Sequence, residues 1–128
     1  MSAGPSQAVL DLVNEARGEA GCDALRPEDA LTAAAQGHAE DMAANGYFSH
    51  DSQDGRSPFD RISAAGYDYR TAGENIARGQ PDAQAVMAAW MDSPGHRQNI
   101  LNCDFEDLGV GYVESSGGPW WVQNFGAR

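Results

Sequence analysis

Leu108-Gly109-Val110-Gly111-Tyr112-Val113 and Trp120-Trp121-Val122-Gln123-Asn124-Phe125 alternate in the β manner on either side of Ser115-Ser116-Gly117-Gly118. Glycine-rich turns between alternating runs close β-hairpins, so this stretch predicts a hairpin. Successive strand residues face opposite sides, which predicts that one of Trp120 and Trp121 packs inward while the other is partly exposed. The hairpin follows a series of helical patterns, and that order, helices first and strands last, is an α+β pattern.

Val9, Leu10, Leu12, Val13 and Ala16 share one helical face after Ser6, a candidate N-cap, so a first helix is predicted over about residues 6–19, ended by Gly21. Pro27, Glu28 and Asp29 form a helix-start signature. Leu31, Ala34, Ala35, His38 and Met42 then repeat at helical spacing as far as Gly46. His38 lies on that apolar stripe and reads as a hydrogen-bonded core histidine. Ser57-Pro58 starts a short third helix that stops at Gly66, and Tyr67 to Thr71 alternates like a strand, placing Glu74 at its exit. A fourth helix from Pro81-Asp82 is predicted to carry Ala85, Val86, Ala89 and Trp90 inward, until Ser93-Pro94-Gly95 breaks it and His96 to Leu101 forms another short helix.

At 128 residues the chain suits one domain, 1–128, with residues 1–5 as a short N-terminal tail. Its 19 acidic and 8 basic residues give a net charge of −11, which repels phosphate backbones and argues against nucleic acid as a partner. No apolar run approaches the ~18 residues of a membrane span. The start Met1-Ser2-Ala3-Gly4-Pro5 has neither a charged segment nor an apolar core, compatible with an exported parent whose signal has been removed. Cys22 and Cys103 belong to no C-x-x-C pair and read as one disulfide, the alternative being two buried thiols; a disulfide implies an oxidising compartment.

Ala72-Gly73-Glu74-Asn75-Ile76-Ala77 lies between His50 and His96, both in turn-forming sequence. If the fold gathers these three side chains, a carboxylate flanked by two imidazoles results. His50, Glu74 and His96 could then ligate Zn²⁺ or another divalent cation and leave a fourth position for water. Alternatively, Glu74 only orients an imidazole and raises its pKa, with no metal. A serine-hydrolase reading would use Ser93, His96 and Glu74, but no G-x-S-x-G elbow occurs. Asn75 is positioned to hold the turn around Glu74. No organic cofactor is expected.

Phe48-Ser49-His50, Gly73-Glu74-Asn75-Ile76, Trp90 followed by Ser93-Pro94-Gly95-His96-Arg97-Gln98-Asn99-Ile100-Leu101, then Leu108-Gly109-Val110-Gly111-Tyr112 and Gln123-Asn124-Phe125-Gly126 occur in that order. Together they resemble the bacterial branch of the CAP superfamily, the SCP-like extracellular domains, over about Val9 to Gly126. The resemblance implies an α-β-α sandwich with a small, mostly antiparallel sheet between helical layers, and a secreted or envelope-attached location. In eukaryotic members the cleft holds two histidines and two glutamates, and the histidines take zinc in some of them. Here His50, Glu74 and His96 match three of those four positions. Ser93 stands at the second glutamate, and Asp92 beside it would point elsewhere along a continuing helix.

Three functions follow as expectations. The first is a cleft of His50, Glu74, His96, Ser93 and Asn75 that binds a divalent metal or an extracellular ligand such as a lipid, glycan or peptide, in a monomer. The second is a metal-assisted hydrolase of peptide or cell-wall bonds. The third is a structural interaction domain without cleft chemistry.

Overall fold

A computed structural model describes residues 4–128. Residues 1–3 of the expected tail lie outside this range, and Pro5 already opens the first helix, α1 (Pro5–Glu19). Gly4 rather than Ser6 is its N-cap, because proline fits the first helical position, where no N–H is required. Then come β1 (Arg26–Pro27), α2 (Asp29–Asn45), α3 (Pro58–Ala64), β2 (Thr71–Arg78), α4 (Ala83–Met91), α5 (Pro94–Ile100), β3 (Asp107–Val113) and β4 (Trp120–Ala127).

The strands form one sheet in the order β1-β3-β4-β2, with β1 parallel to β3 and the other pairs antiparallel. Helix α2 covers one face and α1 with α4 covers the other, so the expected α-β-α sandwich is present. Trp120 packs with Ala35, Ala39 and Met42, while Trp121 packs among Val13, Val86 and Trp90. Both tryptophans are therefore buried, against the expectation for one of them, because neither face of the sheet meets solvent at β4.

The approach of α2 to the sheet is set by two glycines. A Cβ at Gly109 would stand 2.1 Å from the backbone of Leu31 and Thr32, and one at Gly111 would stand 2.5 Å from the Ala35 carbonyl. Only hydrogen at these positions lets helix and strand backbones meet. Gln36 of α2 completes the contact, donating to the Tyr112 carbonyl at 3.0 Å and accepting from its N–H at 2.9 Å.

Three other expectations are corrected. Pro27 belongs to β1 and not to the first turn of α2; the ladder uses the N–H groups of Arg26 and Glu28, bonded to Glu106 and Leu108, and needs none at residue 27. The strand expected at residues 67–71 runs instead from Thr71 to Arg78, paired along its length with β4, which puts Glu74 mid-strand. Its polar residues have buried partners, and those partners override the turn propensity of Gly73-Glu74-Asn75. On α4 the inward residues are Ala83, Val86, Met87 and Trp90; Ala89 is exposed.

β2 is an edge strand whose outer carbonyls are partly covered by side chains. Asn99 Nδ2 donates to the Glu74 carbonyl at 3.2 Å, and the Trp90 indole donates to that of Ile76 at 3.1 Å. Such coverage blocks strand-to-strand association and turns the edge into the floor of a cleft.

Candidate functional site

The cleft lies along the outer edge of β2, between the loop after α2 and the α4–α5 junction. Phe48, His50, Ile76, Trp90, Ser93 and His96 are among the residues lining its volume of about 480 Å³. His50 comes from the loop that α2 releases at Gly46, whose φ of +66° makes the left-handed stop that glycine supplies. His96 lies in the first turn of α5, one of the elements opened by the Ser93-Pro94-Gly95 break.

Glu74 faces α2 from the middle of β2 and is 7% exposed. Its Oε1 accepts from His50 Nδ1 at 2.9 Å and from Arg61 Nη2 at 3.3 Å. Its Oε2 accepts from Arg61 Nη2 at 3.0 Å. The Asn124 amide satisfies its surroundings with Nδ2 toward Glu74, where it donates to Oε2 at 2.9 Å. Both carboxylate oxygens are thus engaged. Arg61 also donates to Ser52 Oγ and to the Arg56 and His50 carbonyls, so one guanidinium fixes the histidine loop and the carboxylate together.

Because Nδ1 of His50 donates to Glu74, its Nε2 is the ring nitrogen left for a ligand. The Glu74 hydrogen bond raises the His50 pKa above the ordinary histidine value. Burial, and then the charge on His50, lowers that of His96. His96 Nδ1 lies 2.8 Å from Ser93 Oγ, again leaving Nε2 for a ligand. The two imidazoles therefore favour different protonation states in one cleft.

Of the five residues expected there, His50, Ser93 and His96 line the cleft. Glu74 and Asn75 are buried behind it. Asn75 points to the other sheet face, donating to the His96 carbonyl at 3.1 Å and to Gln123 Oε1 at 3.0 Å, and so anchors α5 rather than a turn. His38 is 1% exposed, with its Nε2 donating to the Ser49 carbonyl at 2.8 Å, as a core histidine should.

The three-ligand zinc arrangement does not fit this geometry. Glu74 is neutralised by Arg61 and spends its oxygens on three donors, so a cation would have to displace a buried guanidinium. Among the described residues no group of three or more His, Cys, Asp or Glu side chains is placed to hold a metal ion. The Ser93-His96-Glu74 triad also fails, because Glu74 orients His50 and not His96.

Sequence reasoning missed Arg61 and Asn124 as partners of Glu74. Arg61 could have been found from its position beside Ile62 on the inward face of a short helix, where an unpaired charge would be costly.

The family model described as CAP, Cysteine-rich secretory protein family, matches residues 10–125. The chain belongs to this family. The CAP chain is 45% identical to Bacillus subtilis YkwD over 117 residues, covering 91% of this chain and 45% of that protein. It spans under half the length of the curated relatives it matches. Among solved structures, an extracellular SCP-domain protein of Bacillus anthracis superposes with a TM-score of 0.92 at 36% identity, over 98% of this chain and 41% of that one. An outer surface protein of Borrelia burgdorferi gives a TM-score of 0.86 at 25% identity, over 95% of this chain and 91% of that one.

The expected disulfide is present between Cys22 and Cys103. No helix among the described residues is long and apolar enough to cross a membrane.

Proposed function

We propose that this CAP domain is an exported binding module whose cleft takes an extracellular ligand, with the ligand's polar group between His50 and His96. The observation carrying this reading is the buried Glu74–Arg61 pair, which fixes His50 in one orientation at the edge of a cleft that is otherwise largely apolar. A buried ion pair is expensive to build and contributes little net stability, so its use to orient a half-exposed imidazole points to a ligand. Cleft volumes of about 300–1,000 Å³ suit small molecules or the end of a larger one. Export is supported by the disulfide and by relatives described as extracellular or outer-surface proteins.

The reading is tested by following the imidazole C–H resonances of the three histidines during titration with peptide, glycan and lipid panels. Binding should move His50 and His96 while leaving His38 in place. Shifts confined to other surfaces would reject the cleft as the site.

A hydrolase is the second reading, favoured by the opposed shifts of His50 and His96, since groups pushed apart in pKa can serve as acid and base. It requires turnover of a peptide or cell-wall substrate that His96→Ala abolishes. A metal-assisted version would also be abolished by a chelator.

A further inference from the structure

In a chain of net charge −11, the charge-bearing residues lining the cleft are Arg78 and the two histidines, with no carboxylate among them. Asp51 and Asp92 are near in sequence but do not line it, and Glu74 behind it is offset by Arg61. Arg78 donates from Nε to the Gly117 carbonyl at 2.8 Å and stacks over Trp120, with its charge centre 4.8 Å from the ring centroid. It forms no ion pair among the described residues. Its two Nη groups make no hydrogen bond among the described residues and remain as donors.

The floor adds to the same polarity. The Ile76 carbonyl is taken by the Trp90 indole, while the Ile76 N–H shares that outer edge, because both groups of one residue point the same way in an antiparallel ladder. Phe48, 46% exposed, lines the cleft with Ile76 and Trp90 and supplies apolar surface there.

From this juxtaposition we infer that the cleft selects an organic carboxylate, its anionic head on Arg78, His50 and His96 and its apolar body against Phe48, Ile76 and Trp90. The inference rests on the binding reading above and names its ligand class. The acidic surface elsewhere repels anions in general, so selectivity comes from contacts inside the cleft and not from long-range attraction.

Matched probes test it: N-acetyl-Leu-Phe against its C-terminal amide, and octanoate against octanamide, by calorimetry at constant ionic strength. Each acid should bind at least about fivefold more tightly than its amide, as charge-assisted hydrogen bonds exceed neutral ones. Arg78→Gln and His50→Gln, both at exposed positions, should each reduce that ratio. A tighter peptide acid identifies a peptide terminus as the source, and a tighter octanoate identifies a lipid. Equal binding of acid and amide would overturn the inference while leaving the cleft a binding site. Loss of neither ratio in the two variants would also overturn it, as would no binding of either acid at about 10 mM, a ceiling weaker than any specific contact set predicts.

Discussion

Arg61 and Glu74 form an ion pair at 3.0 Å with side chains 6% and 1% exposed, and that pair joins α3 to the middle of β2. Removing one member leaves the other charge buried without a partner. Arg61→Ala should therefore cost about 3–5 kcal/mol, whereas replacing both members by apolar residues of similar volume should cost far less. Urea unfolding of the two single variants and the double variant measures this. A double variant as unstable as Arg61→Ala would show that the histidine loop, and not charge burial, sets the cost.

The three histidines respond to pH in opposite directions. His50 has its folded pKa raised, so its contribution to stability is complete below the unfolded value near 6.5 and is lost as pH rises through the folded pKa. His96 and His38 have theirs lowered, mainly by burial, so their contribution is complete above that value and is lost as pH falls through the folded pKa. NMR titration should give His50 the highest of the three midpoints, and Glu74→Gln should bring it down. An unmoved His50 midpoint in that variant would contradict the assigned cause.

Much of this site was readable from residue order, and the unread part has a physical reason. His50 and His96 were recognisable because turn-forming residues hold them off apolar helix faces. Glu74 was placed correctly in the set but wrongly at a strand exit, because a polar triplet inside a buried strand violates local propensity and is held only by distant partners. Asn124 and Arg61 supply those bonds from 50 and 13 residues away in sequence. The burial of Trp120 was hidden for a similar reason, since alternation gives the two faces of a strand but not what covers them.

The two β3 glycines lead to a sharper prediction than any side chain in the core. Gly109→Ala would drive a methyl into the Leu31–Thr32 backbone, which cannot rotate away, and should cost more than about 4 kcal/mol or abolish folding. Gly37 lies exposed on the same α2 helix with nothing within 4 Å of where a Cβ would stand, so Gly37→Ala should stabilise by about 0.5–1 kcal/mol. Thermal unfolding of the pair checks both signs. A tolerated Gly109→Ala would mean that α2 does not rest on the β3 backbone.

Finally, two ties hold the end of α1 to the segment before β3. One is the Cys22–Cys103 disulfide, closing a loop with a sequence separation of 81, for which chain entropy allows about 4.5 kcal/mol of stabilisation at most. The other is Arg17, fully buried, whose guanidinium donates to the carbonyls of Asp23, Ile100, Asn102 and Phe105. With either tie intact the segment stays docked, so Cys22→Ala/Cys103→Ala and Arg17→Met should each leave a folded protein. Together they free the same junction, and a double-mutant cycle should show a coupling of about 1 kcal/mol or more beyond the sum. Strict additivity would show that disulfide and guanidinium act on separate parts of the fold.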